Sequence, residues 1–225
     1  MPRRGWPGLK AHALPLAGSF VFRWLCFVAM VYLALVAEGR PAPSLPDAVL
    51  PHVPYVAWVD RYNYVLWVFA YAPVAFVLLW RDVPRFIRYM VTAGIIALVR
   101  GGSIIATGLG PVRGEDVNAG MSPLRRWDAL WQIANPFAAL VNHTPGVYLT
   151  KDLFFSGHTS TTLLLLLYVW KDRQLRWVML AGHLLVVASL FLAHLHYTID
   201  VIGGYAVAFS IFALREWKVR ELLNN

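Results

Sequence analysis

The sequence predicts an all-α, polytopic membrane protein with six transmembrane helices. Two observations carry that prediction: a composition too apolar for a water-facing surface, and apolar runs long enough to cross a bilayer. Of the 225 residues, 59% are hydrophobic and 14% charged, and the mean hydropathy is +0.55. A soluble domain carries about 25% charged residues, so an ordinary solvated surface cannot be built from this chain. A spanning helix needs about 20 mostly apolar residues. Six stretches meet or approach that length: Ala17–Ala37, Tyr62–Trp80, Tyr89–Leu109, Phe154–Trp170, Trp177–His196 and Ile199–Leu214. The fourth and sixth are short. Trp80, Tyr89, Trp170, Trp177 and Trp217 stand near span ends, where aromatic rings anchor at the interface.

Taken in order, the elements form one membrane-embedded domain, 1–225. Its N-terminal tail and first span occupy 1–42. The basic start is followed by no small-residue cleavage site after the first apolar run, so that run is expected to remain as a span. Residues 38–61 hold Pro41, Pro43, Pro46, Pro51 and Pro54 and read as an ordered surface connection rather than a helix. The longest connection, 110–153, carries Trp127 and Trp131 in an amphipathic stretch that suits an interfacial or re-entrant segment. Cys26 is the single cysteine, so no internal disulfide can form. The sequence leaves the oligomeric state open.

The net charge of +8 does not point to nucleic acid, because no basic stripe is concentrated on a polar domain. It points to topology. One face collects Arg3, Arg4, Lys10, Arg81, Arg85, Arg88, Lys171, Arg173, Arg176, Arg215, Lys218 and Arg220. The other collects half as many: Arg40, Arg61, Arg113, Arg125, Arg126 and Lys151. Arg23 and Arg100 fall within spans. The richer face, with both termini, is expected to be cytosolic and the other extracytoplasmic.

Polar groups at bilayer depth are costly and call for a reason. They cluster in two places, Lys151-Asp152-Leu153-Phe154-Phe155-Ser156-Gly157-His158-Thr159 and His194-Leu195-His196-Tyr197-Thr198-Ile199-Asp200-Val201. The six-span topology brings both to the extracytoplasmic face. His196 and Asp200 are four residues apart, a spacing that shares a face on a helical turn. A carboxylate on one ring nitrogen fixes the tautomer and frees the other nitrogen to attack. His158, from another helix, can protonate a leaving oxygen. Two histidines and one carboxylate suffice for a two-step phosphoryl transfer through a phosphohistidine. A metal site competes as a reading, since His and Asp are ligands. No spaced Cys/His set is present, so no metal and no cofactor are expected. His183, alone on its helix, reads as a histidine hydrogen-bonded to a neighbouring helix.

Ser156-Gly157-His158 followed by His196-Tyr197-Thr198-Ile199-Asp200-Val201 resembles the sphingomyelin synthase group, within the type 2 phosphatidic acid phosphatase (PAP2) superfamily. Pro43-Ser44-Leu45-Pro46-Asp47 is similar to that group's proline-rich first motif. Arg100 stands where its second motif ends in arginine, and Lys151-Asp152 stands where it has Gly-Asp. The resemblance covers about 43–217. It implies His196 as nucleophile, Asp200 as its partner and His158 as acid and then base. Asp152, Ser156, Gly157 and Tyr197, within or beside the same motifs, are expected near the substrate.

The implied activity transfers phosphocholine or phosphoethanolamine from a phospholipid donor to a lipid alcohol, ceramide foremost. One alternative is a lipid phosphatase or phospholipase C-type hydrolase, with water as acceptor. Another is a non-catalytic scaffold or transporter, which leaves the paired histidines unexplained. The chain departs from the superfamily's phosphatases in two respects: 188–195 holds no arginine, and no Lys-Arg-Pro pattern appears. Neutralising the phosphate is therefore expected to fall to Arg100, Lys151, Arg125 or Arg126.

Overall fold

A computed structural model describes residues 5–135 and 149–224, with side chains to Trp217. Residues 1–4 and 136–148 lie outside it, so Arg3, Arg4 and part of the long connection lie outside the described residues. Every regular element described is helical. In chain order they are α1 (Trp6–Ala11), α2 (Ala13–Glu38), α3 (Ala57–Arg81), α4 (Val83–Thr107), α5 (Pro123–Ala134), α6 (Gly157–Val169), α7 (Arg173–Leu192) and α8 (Thr198–Asn224). A short 3-10 turn spans Leu50–His52.

The protein is an integral, multi-pass membrane protein. Among the described residues, α2, α3, α4, α7 and α8 are long and apolar enough to cross a bilayer. The fourth expected span, α6, is 13 residues long. At about 1.5 Å per residue it rises roughly 20 Å, short of a hydrocarbon core about 30 Å thick. The segment 151–156 ahead of it is non-helical, and irregular backbone at bilayer depth is tolerated only when protein surrounds it. It is surrounded: α6 packs against α3, α4, α7 and α8, and Leu153, Phe155 and Ser156 are buried. The outer helices instead present large apolar side chains outward, among them Leu14, Phe69, Phe76 and Leu185. In water such a patchwork would be a liability; against lipid tails it is the solvated surface.

The helices start where side chains can take up their first amide groups. Asp82 accepts from the Arg85 amide ahead of α4, Ser122 from Arg125 ahead of α5, Ser156 from Thr159 ahead of α6, and Asp172 from Gln174 and Leu175 ahead of α7. The Pro-rich connection behaves as expected up to Val56, but α3 begins at Ala57, five residues before Tyr62. The Trp127–Trp131 stretch is the amphipathic helix α5, packed on α2 with both indoles exposed.

Small residues set the helix spacing. A Cβ on Gly101 of α4 would stand 3.1 Å from the Met30 Cα of α2, and one on Gly182 of α7 3.0 Å from the Ala70 carbonyl of α3. Close backbone approach of this kind is how helices associate where lipid removes the hydrophobic incentive. One apolar cluster fills the space between α3, α4, α6, α7 and α8, and a second joins α2, α4 and α5. His183 acts as expected, bonded to Thr162 Oγ1 of α6 and Tyr205 Oη of α8, each at 2.7 Å.

Candidate active site

The two polar clusters meet at one end of the bundle, where α6 and α8 both begin. The ring centroids of His158 and His196 lie 6.0 Å apart. His196 Nδ1 stands 3.4 Å from Asp200 Oδ2, at the long end for a charge-assisted bond. Catalytic hydrogen bonds commonly tighten only when substrate is present. Asp200 is fully buried and His196 nearly so. His158 is partly exposed, and among the described residues neither of its ring nitrogens is bonded, nor is His196 Nε2. The nitrogens that would do chemistry are thus unspent.

The four-residue spacing works differently from a shared helical face. α7 ends at Leu192, so His196 lies in the turn before α8, while Asp200 lies in the first turn of α8. Asp200 Oδ2 reaches back to the Tyr197 amide at 2.9 Å, which is one half of a capping box. The carboxylate that orients His196 therefore also starts the helix. The next amide, that of Thr198, donates to Asp47 Oδ2 at 2.6 Å, and the Thr198 hydroxyl to Asp47 Oδ1 at 2.9 Å. The backbone carbonyl of Asp200 accepts from the Ser156 amide at 2.9 Å, tying the start of α8 to the cap of α6.

The proline-rich motif completes the clamp. Tyr197 Oη donates to the Gly110 and Pro111 carbonyls and accepts from the Leu45 amide at 3.0 Å. Ser44 Oγ donates to the Pro111 carbonyl at 2.9 Å. Asp47 also accepts from the Val49 and Leu50 amides. Burial pushes its carboxyl up, but these amides and the Thr198 groups outweigh burial and hold it below the ordinary carboxylate range.

The residues expected to grip phosphate are already engaged. Arg100 forms an ion pair with Asp152 at 2.7 Å, and donates to the Phe155 carbonyl at 2.6 Å and the Asp152 carbonyl at 2.8 Å. A Cβ on Gly157 would come within 3.1 Å of the Arg100 guanidinium carbon, so glycine leaves room for that group against α6. Lys151 Nζ contacts Asp116 at 2.7 Å and the Arg40 carbonyl at 2.7 Å. Arg125 reaches Asn118 at 3.4 Å, and Arg126 packs over Gly39. No described contact joins Arg125 or Arg126 to the histidine pair.

Ser156 and Tyr197, expected beside the substrate, are buried, with hydroxyls committed to a cap and to backbone. The reason is common to all of them: at this depth a polar group left without a protein partner carries a large penalty. Positive potential has another source. The N-terminus of α6, on which His158 sits, presents about half an elementary charge, whereas the amides at the start of α8 already bind the Asp200 and Asp47 carboxylates.

Two residues lay outside the sequence reading. Trp67 of α3 sets its ring edge-to-face with His158, centroids 5.1 Å apart. Its position on an apolar helix gave no signal. Glu38 is fully buried at the end of α2 and accepts from Thr150 N, Thr150 Oγ1, Asn118 Nδ2 and the Lys151 amide. An acid closing an apolar run was a signal available in the sequence.

Fold and site together define a multi-pass membrane protein with a two-histidine centre at one end of its bundle. Residues 151–217, which hold both histidine motifs, match the PAP2 superfamily C-terminal family. The chain is 27% identical over 212 residues to human phosphatidylcholine:ceramide cholinephosphotransferase 1, covering 86% of this chain and 50% of that protein. It is 26% identical over 208 residues to mouse sphingomyelin synthase-related protein 1, covering 85% of this chain and 42% of that protein. The segment carrying both histidine motifs thus resembles the PAP2 superfamily, and most of the chain is similar to sphingomyelin synthase and its related proteins. It spans about half the length of the curated relatives it matches.

Proposed function

We propose that the chain is a lipid phosphotransferase that moves a phospho-head group, phosphocholine or phosphoethanolamine, from a glycerophospholipid to a lipid alcohol such as ceramide. The observation that carries this reading is the histidine pair: two rings 6.0 Å apart, one backed by a buried carboxylate, with their outward nitrogens unbonded.

Asp200 on Nδ1 leaves Nε2 of His196 as the nucleophile. Nε2 attacks phosphorus, the bond from phosphorus to the diacylglycerol oxygen breaks, and His158 delivers a proton to that oxygen. Diacylglycerol leaves, and the head group stays on His196. In the second half His158 takes the proton of the acceptor hydroxyl. The hydroxyl oxygen attacks phosphorus, the phosphorus–nitrogen bond breaks, and His196 is regenerated. Splitting the displacement in two replaces one high barrier by two lower ones. The N-terminus of α6 stabilises the anionic phosphorus centre. Arg100, with Asp152, holds the 151–157 segment that delivers His158, and in this reading it is a positioning residue.

Purified protein given labelled phosphatidylcholine or phosphatidylethanolamine, with and without ceramide, tests the proposal. Label appearing on ceramide, with stoichiometric diacylglycerol, is the expected result. Water-soluble label released equally in both arms would assign a hydrolase instead. No turnover of either lipid, from folded protein, would remove the enzymatic reading. The active site is placed on the extracytoplasmic face because the opposite end carries the denser basic residues.

A further inference from the structure

A cavity of about 500 Å³ opens between the start of α4, the end of α6 and the later part of α8. The histidine pair lies at the other end of α6, which rises roughly 20 Å between them, so nothing in the transfer reaction uses this space. Its charged lining is Arg85, Arg88, Lys171 and Glu216. Glu216 is spent, accepting from Tyr168 Oη at 2.8 Å and standing 3.4 Å from Arg88 Nε. Arg85 is shared with Asp82 at 3.1 Å. Lys171 is exposed and, among the described residues, has no partner. The lining therefore carries excess positive charge.

The rest of the lining is largely apolar, with Phe209 and Phe212 of α8, and its two indoles, Trp170 and Trp217, are exposed. Indoles mark the depth at which lipid head groups begin. Basic residues there face the leaflet to which the basic-residue count assigns the cytosol.

We propose that this cavity binds one anionic phospholipid, its phosphodiester against Lys171, Arg85 and Arg88 and its acyl chain along Phe209 and Phe212. Charge selects the occupant, because anionic leaflet lipids are drawn to juxtamembrane Lys and Arg. A zwitterionic lipid would bring a cation into a ring whose single acid is already bonded. A free phosphate would leave the apolar wall uncovered. The volume suits a head group and the upper part of a chain, within the roughly 300–1,000 Å³ of small-ligand sites.

The test uses the full chain carrying His196→Ala, so that no lipid is turned over, in detergent. Native mass spectrometry measures adducts with short-chain phosphatidylglycerol, phosphatidylcholine of equal chain length, and inorganic phosphate. Phosphatidylglycerol is expected to give a one-to-one adduct that the other two do not. Each neutralised cation should weaken it about fivefold, so Lys171→Gln loses about fivefold and Arg85→Gln with Lys171→Gln about twenty-five-fold. Lys171→Arg should bind as the parent does. Lys171 is exposed, so its variants decide the matter even if the double variant fails to fold. Equal binding of phosphatidylcholine, equal binding of phosphate alone, no adduct, or an adduct indifferent to Lys171→Gln would each overturn the proposal.

Discussion

Replacing Arg100 by lysine separates a residue that touches phosphate from one that holds the loop carrying His158. Arg100 is 6% exposed and makes three short contacts, to Asp152 Oδ1 at 2.7 Å, the Asp152 carbonyl at 2.8 Å and the Phe155 carbonyl at 2.6 Å. Lysine keeps the charge and can satisfy Asp152, but it cannot span two carbonyls from a planar fork. One or two charge-assisted bonds are then lost, at about 1.5–3 kcal/mol each. Arg100→Met removes the cation and leaves the Asp152 carboxylate unpaired, which costs about 3–5 kcal/mol. For a chain of this size that is roughly 6–20 °C in apparent Tm.

The pair should also be coupled: Asp152→Asn in the Arg100→Met background should cost much less than in the parent, by at least about 1 kcal/mol in a double-mutant cycle. The assays are thermal unfolding in detergent and head-group transfer on the same samples. The expected outcome is a joint fall, with turnover declining as the 151–157 segment loosens. Arg100→Lys that melts like the parent yet has lost most turnover, with no coupling to Asp152, would refute the positioning role and return Arg100 to the phosphate.

Four further outcomes are expected. His196→Ala should abolish transfer, whereas Asp200→Asn should lower it about 10–100-fold, because the asparagine oxygen can still accept the Tyr197 amide; equal losses would contradict that division of roles, and trapped label on His196 in rapid-quench samples would support it directly. Trp67→Ala should lower kcat up to about tenfold at unchanged KM, from an edge-to-face contact worth about 0.5–1.5 kcal/mol, with Trp67→Phe largely restoring it; a rise in KM alone would place Trp67 on the substrate instead. Asp47, held below the ordinary carboxylate range, contributes stability that is full above its unfolded pKa of about 3.9 and is lost as pH falls through its lower folded value. Apparent Tm of the parent should therefore drop on the acid side of pH 4 more steeply than that of Asp47→Asn, and parallel curves would count against the Asp47–Thr198 clamp. Native Cys26 is buried, so single reporters are clean: a cysteine at Gln174 should react with an impermeant reagent only from the cytosol and one at Glu115 only from outside, and the reverse pattern would invert the placement of the site.

Legibility in the sequence followed the range of the interaction. The class of protein was readable because bilayer solvation acts on composition: with 14% charged residues no water-facing surface exists, and helix is the form in which a single apolar run meets its own backbone hydrogen bonds. The two histidine motifs were readable because isolated polar groups among apolar runs stand out, and alternation of spans puts them at the same end. Spacing said that His196 and Asp200 meet. It named the wrong device for it, a shared helical face, where the chain uses a turn and the first residues of α8.

What tertiary structure decided is how each costly polar group is satisfied. From sequence, Arg100 and Lys151 looked like free cations for a phosphate. Folded, Arg100 finds Asp152 and two carbonyls, and Lys151 finds Asp116 and the Arg40 carbonyl. Glu38 and Asp47 are bound to amides more than a hundred residues away in the chain. Such pairings depend on where distant segments come to rest, and neither periodicity nor local propensity carries that information. A buried charge needs a partner wherever it lies; only the packed bundle determines which.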